Sequence, residues 1–192
     1  EETQPPTNGG TTNTDNGATT GGTVASAEEI LDLTFNGKLT NNAYTPGENE
    51  TLRGQLNTKA GNESIESGKA QLPGASSGLT YTFDSEKPLS TSDDGLTLNK
   101  PFRAEILFTP TQGQQPELST IFSAGGNLYV RYQDGQIRYG FDSFNSNRTP
   151  RWQGHTQHMP TPEGGKTHLM RVEYLPSNTG ATMKVSINGT AG

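Results

Sequence analysis

From Ala27 onward, short alternating runs of apolar and polar residues are separated by turn formers. Strict alternation over about 4–8 residues predicts half-buried strands. Glu29-Ile30-Leu31-Asp32-Leu33-Thr34-Phe35 sets Leu31, Leu33 and Phe35 on one face and stops at Asn36-Gly37, a turn dipeptide. Gly78 to Asp84 sets Leu79, Tyr81 and Phe83 against Thr80 and Thr82, and Phe102 to Thr109 sets Phe102, Ala104, Ile106 and Phe108 against Arg103, Glu105 and Leu107. No window of helix length carries a 3.6-residue apolar period, so helix content should be slight. The pattern predicts an all-β chain folded as an antiparallel β-sandwich.

Asn127 to Phe141 holds the best-specified element. Asp134-Gly135 favours a two-residue type I′ turn, which fixes the register of both flanking strands. Tyr132 then faces Ile137, Arg131 faces Arg138, Val130 faces Tyr139 and Tyr129 faces Gly140. Leu128, Val130, Tyr132, Ile137, Tyr139 and Phe141 share the core face, leaving Tyr129 and two arginines outside. A second hairpin is expected from Thr167–Leu175 to Thr182–Asn188, across Pro176-Ser177-Asn178-Thr179-Gly180.

Composition marks a boundary near residue 26. Residues 1–26 hold eight Thr, five Gly and three Asn, no Lys or Arg, and only Val24 larger than Ala among apolar residues. Such a stretch cannot bury enough surface to offset its ordering entropy, so it reads as a flexible tail or linker, with one folded domain over residues 27–192. A Thr/Gly/Asn-rich tether fits both a mature end left by secretory processing and an ordinary interdomain linker. Leu, Ile, Val and Phe together number 32, about 17% of the 192 residues, below the usual ~20% for globular chains. The net charge is −6 and no Cys is present, which excludes disulfides, thiolate metal sites and cysteine nucleophiles. An acidic balance argues against nucleic acid as partner, and no segment is long and apolar enough for membrane insertion as a helix.

The run Thr167-His168-Leu169-Met170-Arg171-Val172-Glu173-Tyr174, followed by Met183-Lys184-Val185-Ser186-Ile187-Asn188-Gly189, resembles the concanavalin A-like, laminin G-type (LamG) jelly roll. Thr167 stands where that family often has Trp, and Asn188-Gly189 where Asp-Gly is common. Ile30 to Phe35 resembles its opening strand, and Phe102 to Phe108 a strand often read as Phe-Thr-x-Glu-x-Trp. The resemblance implies further strands after the Asn-Gly turn, one of them beside residues 30–35, so the domain is expected to be incomplete at its C-terminus. It also implies an exported, bacterial setting, where such domains accompany hydrolases such as calcineurin-like phosphoesterases.

Catalytic patterns of that superfamily are missing. The laminarinase-like run Glu-x-Asp-x-x-Glu does not occur, and Arg103-Ala104-Glu105 matches only half of the Arg-x-Glu-x-Arg strand of alginate lyase-like members. Gly-x-Ser-x-Gly is likewise absent, so no catalytic residue is expected. No cofactor is required. Asp93, Asp94 and Asn99 are candidate calcium ligands, since jelly rolls of this type often hold the ion with such oxygens; the competing expectation is an acidic turn that is simply solvated. His155 and His158 stand three apart, without a third ligand at obvious spacing.

Asp142 to Gly165 reads as a long irregular loop carrying Arg148, Arg151, Trp152, His155 and His158. An indole face stacks on sugars and a guanidinium grips carboxylates; the competing expectation is that Trp152 folds back as a plug on the sandwich edge. Four Asn-x-Ser/Thr sequons start at Asn49, Asn62, Asn147 and Asn188, about as many as chance gives in such a composition. The expected function is a non-catalytic, extracellular carbohydrate-binding module of a secreted or cell-surface protein. Its ligand-binding residues would be Tyr129, Arg131, Arg138, Arg148, Arg151 and Trp152. The alternative is a structural accessory domain whose partner is a neighbouring domain of the same protein; a broad exposed apolar face would favour it.

Overall fold

The computed structural model describes residues 28–35, 40–74, 76–84, 88–89, 98–113, 118–125, 128–141, 143–144, 150–151, 157–177 and 180–192. Every regular element among them is a strand, apart from one 3-10 turn at Glu50–Leu52. In chain order these are β1 (Gly54–Thr58), β2 (Ser64–Glu66), β3 (Lys69–Gln71), β4 (Leu79–Phe83), β5 (Phe102–Phe108), β6 (Leu118–Ala124) and β7 (Leu128–Gln133). They continue as β8 (Gln136–Phe141), β9 (Ser143–Phe144), β10 (Pro150–Arg151), β11 (Gln157–Pro160), β12 (His168–Ser177), β13 (Gly180–Ile187) and β14 (Thr190–Ala191).

Two four-stranded antiparallel sheets, ordered β11-β8-β7-β6 and β14-β13-β12-β5, supply the inner faces of the sandwich. The first contributes Leu128, Val130, Ile137, Tyr139 and Met159, the second Met170, Val172, Tyr174, Val185 and Ile187, and all ten are buried in one cluster. Alternation explains the pattern: His168, Met170, Val172 and Tyr174 of β12 point inward, while Leu169, Arg171 and Leu175 point out. Phe102, Ala104, Ile106 and Phe108 of β5 pack against the cluster as predicted. The Tyr174 hydroxyl would be an orphan there; it donates to the carbonyl of Leu98 at 3.0 Å.

The Asp134-Gly135 hairpin has the register derived above, pair for pair from Leu128 opposite Phe141 to Gln133 opposite Gln136. Both turn residues have positive φ, 51° and 76°, as a type I′ turn requires. Ser67-Gly68 and Asn188-Gly189 adopt the same left-handed pair between β2 and β3 and between β13 and β14. The last of these returns the chain along Ser186 and Ile187, so β14 lies at the edge of its sheet.

Three expectations need correction. Residues 30–35 form no ladder among the described residues, and Phe35 takes φ 54°, which ends alternation. Polar bonds hold this segment instead. The Asn41 carboxamide, buried at 3% exposure, accepts from the Asp32 and Ala43 amides and donates to the Ile30 and Leu52 carbonyls. The stretch 142–165 is not free of strand, because β9 pairs with β10 and β11 pairs with β8. Met159 is the lone apolar residue of β11; it sits opposite Ile137 and is buried, and a single such position gives no period to read. The second hairpin turn is tighter than expected, since β12 and β13 continue to Ser177 opposite Gly180. Pro176 is tolerated there because it lies past Tyr174, the last β12 residue with a β5 partner.

Residues 40–84 carry smaller sheets. β1 pairs with β4, and β2 with β3. Leu52 and Leu56 are buried in this part and do not belong to the sandwich cluster. Residues 1–26 and the turn Asn36-Gly37 lie outside the described residues.

Candidate functional site

The outer faces of the two sheets differ in how their charges are met. On the sheet ending in β5, Arg171 stands opposite Glu105, its Nε and Nη2 donating to Oε1 at 2.9 and 2.8 Å. Glu173 stands opposite both Arg103 and Lys184. That face neutralises itself. Leu107 and Leu169 adjoin at one end and Leu175 is exposed at the other, with these charged rows between them, so the described residues form no broad apolar face.

The other sheet carries a row of basic side chains. Strand register aligns Thr120 of β6, Arg131 of β7, Arg138 of β8 and His158 of β11 across four neighbouring strands. At about 4.8 Å between strands, the three basic side chains span roughly 10 Å perpendicular to the chain direction. Above them on the same face lie Ser123, Tyr129 and Gly140, and below them Leu118, Gln133, Gln136 and Pro160. A bulge between Thr120 and Phe122 shifts the alternation on β6 by one residue, so that Phe122 pairs with inward Val130 and Ser123 with outward Tyr129. None of these outward residues is acidic.

Like charges directly opposite repel, and the structure shows where each guanidinium goes. Arg131 lies over the Tyr129 ring, its Cζ 4.2 Å from the centroid, so this face of the tyrosine holds an arginine and not a sugar. Arg138 reaches back to the turn, where Nη2 meets the Asp134 carboxylate at 2.8 Å. Neither arrangement satisfies the inner part of the guanidinium. The Nε of Arg131 and of Arg138, and Oε1 of Gln133, are closed to solvent without a hydrogen-bond partner. His158 Nδ1 lies 2.7 Å from Gln136 Oε1, which tethers the ring at the end of the row.

His158 and Arg151, both expected in an irregular loop, lie in strands, and the place of His158 in β11 brings it beside Arg138. The signal was Met159 next to it, an apolar residue facing Ile137. Tyr129, Arg131 and Arg138 come together as derived. Arg151 lies in β10 opposite Ser143. Arg148, Trp152, His155, Asp93 and Asp94 lie outside the described residues. Asn99 donates its amide to the Leu89 carbonyl at 3.2 Å, and no group of three or more metal-ligating side chains occurs among the described residues.

Other candidates have structural roles. His168 is buried beside Phe108, with Nε2 2.8 Å from the Glu163 carbonyl and Nδ1 3.0 Å from the Asn188 amide nitrogen. The carbonyl needs a donor, so Nε2 carries the proton and Nδ1 accepts. Glu63 Oε1 accepts from the Lys59, Ala60 and Gly78 amides. Burial would raise that carboxyl, but the backbone donors, Ala60 and Gly78 foremost, outweigh it and hold it at about 2. A shallow hollow of about 180 Å³ between Tyr139, Phe141 and Gln157 on one sheet and Ala181, Thr182 and Met183 on the other has no charged lining. It is smaller than the usual ligand pocket of about 300–1,000 Å³. Comparison of the chain with family models, curated proteins and solved structures returns no match.

Proposed function

We propose that this chain is a non-catalytic module that binds an acidic polysaccharide on the outer face of the β11-β8-β7-β6 sheet. The observation that carries the reading is the row Arg131, Arg138 and His158, with two guanidinium Nε groups lacking partners on a face whose strand positions hold no acid and where Asp134 of the turn is the carboxylate that meets the row. A buried donor without a partner costs about 1–3 kcal/mol, so the face gains from a ligand whose anionic oxygens engage and reorient these side chains. A flat, shallow row suits an extended polymer lying across strands better than a small molecule enclosed in a pocket. Gln133 Oε1 adds an unmet acceptor, which a sugar hydroxyl satisfies once the side chain turns outward. The likeness to LamG-type jelly rolls and the Thr/Gly/Asn-rich residues 1–26 suit an exported, cell-surface protein of bacterial type.

The test is titration of the chain at low salt with polygalacturonate and with dextran sulfate, neutral dextran serving as control. Binding to an acidic polymer and not to dextran is expected, with Arg131→Ala weakening it about tenfold. Equal affinity in a variant of unchanged stability removes this face from the site. A preference for DNA or anionic vesicles over both polymers overturns the reading.

A further inference from the structure

Asp134 lies at the tip of the hairpin that displays the basic row. We propose that it is a built-in competitor at this site, its carboxylate occupying the position on Arg138 that an anionic group of the ligand takes. This inference rests on the polysaccharide reading and deepens it, because it assigns the residue that sets the affinity of the site for carboxylate or sulfate groups.

Three observations support it. The Asp134 carboxylate makes a charge-assisted contact with Arg138 Nη2 at 2.8 Å, the geometry in which a guanidinium takes any carboxylate. The pair is unequal in exposure, Arg138 at 26% and Asp134 at 62%, so the acid approaches from the solvent side, as a ligand must. Its grip is also incomplete. Arg138 Nε has no partner although the carboxylate is near, and because that nitrogen is closed to solvent it meets an anion only when the guanidinium swings outward, which requires release from Asp134. Asp134 is held by backbone geometry more than by this contact, since φ 51° is set by the type I′ turn. Swinging its side chain into water therefore leaves the strands in register. Exposed ion pairs are weak, which makes displacement easy and limits the gain from removing the competitor to about 2–5-fold.

Asp134→Asn suits the test, because Asn-Gly is at least as favourable as Asp-Gly in this turn and only the charge changes. Glu173→Gln on the opposite sheet makes the same change in net charge away from the row, and controls for long-range electrostatics. The chain, D134N and E173Q are each titrated with polygalacturonate and with dextran sulfate. The proposal expects D134N to bind the preferred polymer about 2–5-fold tighter than the unaltered chain, with E173Q within about 1.5-fold of it. If the unaltered chain binds and D134N gains no more than E173Q, Asp134 is not a competitor and the polysaccharide reading stands. If neither the unaltered chain nor D134N binds either polymer, the polysaccharide reading itself falls. The two arms also decide whether carboxylate or sulfate oxygens are the preferred group.

Discussion

Replacing Asn41 by Ala removes four hydrogen bonds to the backbone. Its Oδ1 accepts from the Asp32 amide at 2.8 Å and the Ala43 amide at 3.0 Å, and its Nδ2 donates to the Ile30 carbonyl at 2.9 Å and the Leu52 carbonyl at 3.2 Å. The Leu52 carbonyl keeps a donor, the Tyr81 hydroxyl at 3.2 Å, so three backbone groups are left unmet. A buried polar group without a partner costs about 1–3 kcal/mol, and these sites are only part-buried, so the expected loss is about 2–4 kcal/mol. The assay is amide hydrogen exchange read residue by residue, with urea unfolding in parallel. Asp32 and Ala43 should exchange about one to three decades faster in the variant, at 1.4 kcal/mol per decade. Asn41→Asp sharpens the test: it keeps the acceptors but turns a carboxylate toward two carbonyls. Its cost should shrink as pH falls and the acid protonates, regaining a donor. If Asn41→Ala loses less than about 0.5 kcal/mol and leaves both amides protected, Asn41 does not fix residues 30–32 and the reasoning fails.

Three other outcomes follow. Because the Glu63 carboxyl is held at about 2, below its ordinary 4.5, its contribution to stability is fully present above pH 4.5 and is lost as pH falls through about 2. Melting curves of Glu63→Gln should flatten across that window, and an unchanged slope would refute the backbone clamp. Gly54→Ala would place a Cβ 2.3 Å from the Thr82 carbonyl oxygen and 2.9 Å from the Phe83 Cα. The β1 and β4 pair must part, at a cost of about 1–3 kcal/mol in urea unfolding; a neutral result would contradict this pairing. Met170, fully buried where the two sheets meet, should cost about 2–5 kcal/mol when cut to Ala, and a cost below 1 would argue against a shared core.

What was legible in the sequence depended on how many side chains voted for one face. The hairpin Leu128 to Phe141 has six core residues and a turn that needs positive φ, so its register followed from the residues alone. Strands β4, β5 and β12 carry at least three inward apolar residues or their buried equivalents, and alternation sufficed. β2 and β3 escaped notice because Ile65 and Ala70 are their only apolar members, though Ser67-Gly68 was a turn signal between them. Residues 30–35 misled in the other direction. Their alternation is genuine, but the Asn41 carboxamide takes the Ile30 carbonyl and Asp32 amide that a neighbouring strand would use, and no local pattern announces a partner eleven residues away. The row Arg131, Arg138 and His158 was two-thirds legible, since the third member depends on a strand pairing between β8 and β11 that one buried methionine secures.

On the proposed reading, ligand meets the outer face of the β11-β8-β7-β6 sheet. Its most direct test is residue-resolved NMR of the labelled chain during titration with polygalacturonate or dextran sulfate. Shifts should concentrate at Tyr129, Arg131, Arg138, Gly140 and His158, with the Arg131 and Arg138 Nε–H signals moving most and fading in step with added salt. Arg171, Glu173 and Lys184 on the opposite sheet should stay still. Shifts centred on those residues, or spread evenly over both faces, would contradict the claim.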